Sequence, residues 1–140
     1  MAPVSERDGT QVVAAVLHDA AGRVLITQRP AGKWMAGLWE FPGGKLEPSE
    51  TGRQALTREL AEELGVRVLS CEPLLELSHD YPERRVQLLV WNVLAFEGEP
   101  TGLEGQRLRW LPPAALYNEP MLPADWPIVD TLVNLQSQRG

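Results

Sequence analysis

A chain of 140 residues, 44% apolar and 23% charged, is long enough to bury one core, and none of its apolar runs approaches the roughly 20 residues of a membrane span. A net charge of −6 argues against gripping long nucleic acid through a basic patch, and the single cysteine, Cys71, excludes both an intramolecular disulfide and a cysteine-based metal site. The opening MAPVSERDGT has no apolar h-region, so a reducing, cytoplasmic setting is expected, with no membrane partner.

Residues 1–8 read as a flexible tail and 9–140 as a single domain. Residues 11–18 (QVVAAVLH) form a nearly continuous apolar run of strand length, 19–22 a turn and 23–29 (RVLITQR) a second strand, so a hairpin is expected. His18 is read as a strand-end residue. A loop over 30–39 follows, with Trp34 exposed to either role and Trp39 assigned to the core. Residues 51–64 make the clearest helix: Thr51 and Gln54 have capping-box spacing, Gly65 stands where a left-handed C-cap belongs, and Leu56, Leu60 and Leu64 form one apolar stripe. Strands are expected over 66–77 and 85–96, with Cys71 as a small buried residue. A Gly- and Glu-rich loop spans 97–106, a short strand 108–111 and a helical turn 112–116. A last helix runs from Asp125, a natural N-cap, to about Gln138, with Ile128, Leu132 and Leu135 on one face. Strands interrupted by one central helix, with another at the end, predict an α/β fold built on a mixed sheet.

On the central helix, Glu59, Glu62 and Glu63 fall within an arc of about 100° at 3.6 residues per turn. The leucine stripe lies about a quarter-turn away, so the helix can bury its leucines and present all three carboxylates. A solvated acidic face would use the same residues. Against that reading, three like charges near a helix C-terminus repel one another and oppose the macrodipole, and only Arg67 follows to relieve them. Spacing alone leaves both readings open. If a cation is bound, clustered carboxylates without neighbouring Cys or His suit Mg²⁺ or Mn²⁺.

Within residues 44–66, Gly44, Glu50, Arg58, Glu59, Leu60, Glu62, Glu63, Gly65 and Val66 fill every specified place of the Nudix box. The chain therefore resembles the Nudix hydrolases. LWEFPGGK (38–45), YPER (81–84), EGEP (97–100), LEGQ (103–106) and LPAD (122–125) extend the resemblance to MutT-like enzymes, in the same order and spacing. It implies a Nudix fold, a mixed β-sheet sandwiched between helices (α/β/α). It also implies Mg²⁺-dependent attack of water on the β-phosphorus of a nucleoside triphosphate, releasing monophosphate and pyrophosphate, with Mn²⁺ able to substitute.

Carried over residue by residue, the resemblance makes Glu59 a metal ligand and a candidate for activating water, with Glu62, Glu63 and the Gly43 carbonyl as further ligands. Arg58 would orient these carboxylates. Glu104, in a loop that is mobile in the family, would be a ligand or a rival general base. Arg29, Trp34, Glu40, Phe41, Pro42, Gly43, Arg84 and Asp125 would hold the nucleotide, with Phe41 as pocket wall. Asp125 bears on the base: enzymes of oxidised guanine carry asparagine there, and relatives acting on pyrimidine triphosphates carry aspartate. A carboxylate cannot donate a hydrogen bond unless protonated. The first expectation is thus 8-oxo-dGTP and nucleotide-pool sanitation, the alternative CTP or 5-methyl-dCTP. A nucleotide-binding regulator that has lost catalysis is the alternative of a different class, although no box glutamate is missing. A monomer is expected by analogy, with a dimer left open.

Overall fold

The structure is a computed structural model that describes residues 10–139. The expected tail at 1–8 lies outside the described residues. In chain order the elements are β1 (Thr10–Leu17), β2 (Val24–Gln28), β3 (Trp39–Glu40), β4 (Gly43–Lys45), α1 (Gly52–Leu64), β5 (Arg67–Asp80), β6 (Arg85–Glu97), β7 (Leu108–Leu111), the 3-10 turns Pro113–Asn118 and Pro123–Asp125, and α2 (Trp126–Arg139). They make two sheets, β4-β1-β6-β5 and β3-β2-β7, with β1 and β6 parallel and the other pairs antiparallel.

The run in β1 is apolar throughout because both of its faces are covered. Val13, Ala15 and Leu17 pack with Leu56, Leu60 and Leu64 of α1, while Ala14 and Val16 pack on the opposite side with Ile128, Val129 and Leu132 of α2. β6 divides in the same way, Val93 toward α1 and Val86, Leu88 and Val90 toward α2. The result is the α/β/α sandwich, its middle layer split into two sheets. No helix among the described residues is long and apolar enough to cross a membrane.

The hairpin expected from β1 and β2 is not formed. Its turn is present, with Asp19 accepting from the amides of Ala21 and Arg23, but beyond the single bridge His18–Val24 the strands part into different sheets. A strand apolar on both faces fits the centre of any sheet, so its pattern does not name its neighbour. Here β4 and β6 occupy both edges of β1. The short strands β3 and β4, inside and after the expected loop, carry no alternation long enough to read. β5 runs on to Asp80 through register shifts between Val68 and Leu75.

α1 forms as its sequence dictates. Thr51 Oγ1 accepts from Gln54 N (3.1 Å), Gln54 Oε1 accepts from Thr51 N (2.9 Å), and Gly65 ends the helix at φ 69°. Its three leucines are fully buried, each contributing on the order of 2 kcal/mol. On α2, Ile128 and Leu132 are buried as expected, but Leu135 is 37% exposed because the last turns run past the core, and Val129 takes the inward place. Cys71 is only partly buried at the edge of the α1-side core. Trp39 is buried on the α2 side.

Candidate active site

β4 lies between β1 and α1, and its two glycines are required by close approach. A Cβ on Gly43 would stand 1.9 Å from the Val13 carbonyl oxygen, and one on Gly44 2.3 Å from Glu59 Oε2. The backbone of β4 at Gly44 thus reaches the Glu59 carboxylate of α1 without a side chain between them.

Arg58 organises those carboxylates. Its Nε and Nη2 donate to the two oxygens of Glu50 (2.7 and 2.9 Å), Nη1 to Glu59 Oε1 (2.7 Å) and Glu62 Oε2 (3.3 Å), and Nη2 also to the Lys45 carbonyl (3.0 Å). One planar fork therefore links both ends of the box. The Arg58 hydrogen bonds hold Glu50 down to a pKa of about 2. Glu59 is instead pushed up by burial, with Arg58 opposing. Glu63 rises to about 9, first through burial and then through Glu59, Glu40 and Glu104. Its Oε2 is the one buried side-chain oxygen or nitrogen among the described residues without a hydrogen-bond partner.

Glu59, Glu62, Glu63 and Glu104 line one polar cleft with Gly43, Gly44 and Lys45. Among the described residues no three of them already converge as a ready-made coordination group; with like charges and Arg58 drawing on two of them, separation is the favourable arrangement. Glu104 comes from a loop fastened to the end of α1, where Thr101 N donates to the Leu64 carbonyl and Leu103 N to that of Glu63, each at 3.0 Å.

Beside this cleft is a mostly apolar slot lined by Trp34, Phe41, Val86, Leu88, Leu122 and Asp125, with Arg84 at its side; cleft and slot share Arg29, Glu40 and Gly43–Lys45. Arg29 donates through Nε to the Trp34 carbonyl (2.6 Å) and through Nη1 to both Glu40 oxygens (3.1 Å each). Trp34 is clamped between loops: the Arg84 guanidinium lies 4.4 Å from its ring centroid, Tyr81 meets it edge-on at 4.7 Å, and its Nε1 donates to Glu83 at 3.3 Å. Pro42, expected to touch substrate, lines neither space. It is buried, and its carbonyl accepts from Ala15 N (2.8 Å), because this turn must complete the edge of β1.

Asp125 corrects a second expectation. It directly precedes α2, but its carboxylate accepts from Phe41 N (2.9 Å), across 84 positions of sequence, and not from a first-turn amide of its own helix. It is 3% exposed. Burial, then the negative charge of Glu40, pushes its pKa up to about 8, against the pull of the Phe41 amide and Arg29. Several residues of the site, Gln106 among them, were not singled out in the sequence. Lys33 and Lys45 line the cleft, and Tyr81 accepts from Ala124 N (2.9 Å) beside Asp125. Lys45 and Tyr81 do lie within the LWEFPGGK and YPER segments, which is the signal that could have found them.

A glutamate helix packed against a glycine strand, with an apolar slot adjoining, is the arrangement the Nudix box leads one to expect. The family described as the NUDIX domain matches residues 12–131, and the chain belongs to it, a Nudix pyrophosphohydrolase. It is 40% identical over 129 residues to the CTP pyrophosphohydrolase of Escherichia coli K12, covering 92% of this chain and 95% of that one. It is 36% identical over 125 residues to the 8-oxo-dGTP diphosphatase of the same organism, covering 89% and 97%. The solution structure of the E. coli ORF135 protein superposes with a TM-score of 0.84 at 38% identity, over 99% of this chain and 98% of that one. Nudix hydrolases use divalent metal ions. The residues here fit one, since Glu63 Oε2 is buried without a partner and Gly44 leaves the space beside the Glu59 carboxylate free of a side chain.

Proposed function

We propose that the protein hydrolyses a modified nucleoside triphosphate, 8-oxo-dGTP foremost, to monophosphate and pyrophosphate with Mg²⁺, and so cleans the nucleotide pool. The observation that carries this reading is the junction of the two spaces at Gly43–Lys45. A base in the apolar slot would extend its phosphates past Arg29 into the carboxylate cleft.

Glu59, Glu62, Glu63, Glu104 and the Gly43 carbonyl are the groups that would hold the metal. When bound, Mg²⁺ neutralises phosphate charge and lowers the pKa of a coordinated water. Arg58 keeps Glu59 aimed into the cleft, and Glu59 or Glu104 takes the proton of the attacking water. Lys45 and Lys33 offset triphosphate charge in a cleft otherwise lined by glutamates. Phe41 walls the base, with Trp34 and Arg84 at the open side.

Asp125 supports a second reading, a cytidine-type triphosphate, because a carboxylate at this place distinguishes the pyrimidine enzymes. Its environment weakens that argument. Held largely protonated at neutral pH, Asp125 accepts from Phe41 N and has an O–H to donate, so like an asparagine it can both accept and donate. The deciding experiment compares kcat/KM for 8-oxo-dGTP, dGTP, CTP and 5-methyl-dCTP with Mg²⁺. If 8-oxo-dGTP is cleaved no faster than dGTP, the leading reading fails; faster cleavage of the cytidine compounds establishes the second. Replacing Glu59 by Gln should lower kcat at least a hundred-fold, on the scale of other lost catalytic carboxylates. Unchanged hydrolysis would remove Glu59 from the chemistry.

A further inference from the structure

Glu63 and Glu104 reach the cleft from different elements, one from the last turn of α1 and the other from the loop that follows β6. Their relative position is therefore not set by helical geometry. Beside the backbone bond from Leu103 N to the Glu63 carbonyl (3.0 Å), one side chain spans the gap and reaches Glu104 itself. Gln106 donates from Nε2 to the Glu63 carbonyl (3.1 Å) and accepts through Oε1 from the Glu104 amide (2.9 Å). Both ends of its amide are thus used, each on the backbone of a residue that lines the cleft. Gln106 is only 8% exposed, so these bonds compete little with water.

The rest of the loop is held without it. Thr101 and Leu103 bond the last carbonyls of α1 directly, and Gly105 N closes a turn onto the Gly102 carbonyl (3.0 Å). The turn is tight: a Cβ on Gly102 would stand 2.2 Å from the Gln106 carbonyl oxygen. Among the described residues, the bond from the Glu104 amide to Gln106 is the one tie on the backbone of Glu104. Removing it frees that carboxylate while leaving the loop anchored.

We propose that Gln106 is a positioning residue, whose side chain sets the spacing of Glu104 and Glu63 and with it the affinity of the cleft for a divalent cation. This rests on the proposed role of both glutamates as metal ligands. Gln106 touches neither the metal nor the substrate in this scheme. It acts as the partners of metal ligands commonly do, where loss of one hydrogen-bonded support weakens binding by about 10–100-fold.

The test is Mn²⁺ binding followed by electron paramagnetic resonance on nucleotide-free protein, for the wild type, Gln106→Met, Glu104→Gln and the double variant. Methionine keeps the length and removes both hydrogen bonds. The expected result is about ten-fold weaker Mn²⁺ binding for Gln106→Met, at least that for Glu104→Gln, and no further loss in the double variant. In turnover, the Mg²⁺ concentration giving half-maximal rate should rise by a similar factor, with KM for the nucleotide at saturating Mg²⁺ changing less than about two-fold. Wild-type Mn²⁺ affinity in Gln106→Met, with Glu104→Gln weakened, overturns the role of Gln106 alone. Wild-type affinity in Glu104→Gln overturns the ligand reading beneath it. Additive losses would mean that Gln106 acts by another route, and also refute the proposal. Should the methionine variant not fold, Gln106→Asn, too short to span both bonds, carries the same test with the same outcomes.

Discussion

Asp125→Asn separates the titration of a buried carboxyl from its shape. Asparagine keeps the acceptor for Phe41 N and has no proton to lose near neutrality. In the wild type the Asp125 pKa rises from 3.8 in the unfolded chain to about 8 in the fold. Between those values the folded protein holds a proton that the unfolded chain has released, so stability falls as pH rises and the loss is complete above the folded value. At 1.36 kcal/mol per unit the ceiling is about 5–6 kcal/mol. The carboxyl lines the slot and can relax toward Arg29, and halving for this leaves about 2–3 kcal/mol. Since pH 5 to pH 8 spans only about two-thirds of that change, the stability of the variant relative to the wild type should climb by about 2 kcal/mol over this range, or about 4–8 °C in Tm. Burial also raises the carboxyls of Glu40 and Glu63, but both proteins carry them, so they largely cancel in the difference. Thermal unfolding with EDTA at four pH values measures it. A difference that is flat with pH would refute the buried-proton argument.

Gly44→Ala should leave Tm nearly unchanged while lowering kcat about a hundred-fold, because its Cβ meets the movable end of Glu59 and not the backbone. Loss of stability in place of activity would contradict this, and unfolding and turnover measured on the same sample tell the two apart. Leu60→Ala, at a fully buried position facing β1, should cost about 2–5 kcal/mol in urea unfolding, with Mg²⁺-dependent turnover retained at low temperature.

The box helix was legible in the sequence because its determinants are local. The capping box of Thr51 and Gln54, the stop at Gly65, the leucine stripe and the shared face of Glu59, Glu62 and Glu63 all follow from spacing within a few turns. The reaction class came from the resemblance of residues 44–66 to the Nudix box, since spacing alone left a solvated acidic face equally open. What the sequence alone determined is thus the helix, its carboxylates and the bond that is cut.

Pairing and electrostatics belonged to the tertiary structure. No periodicity in 11–29 says that β1 lies between β4 and β6 while β2 joins another sheet, because a strand buried on both faces is compatible with many neighbours. Asp125 looked like a helix cap until the fold brought Phe41 N to it from 84 residues away and excluded the water that would have kept it ionised. Gln106 was a letter in a motif until the loop folded back to join Glu104 to Glu63. In each case the deciding quantity is a distance between residues remote in sequence, or the burial that such contacts create, and neither exists before the chain has folded.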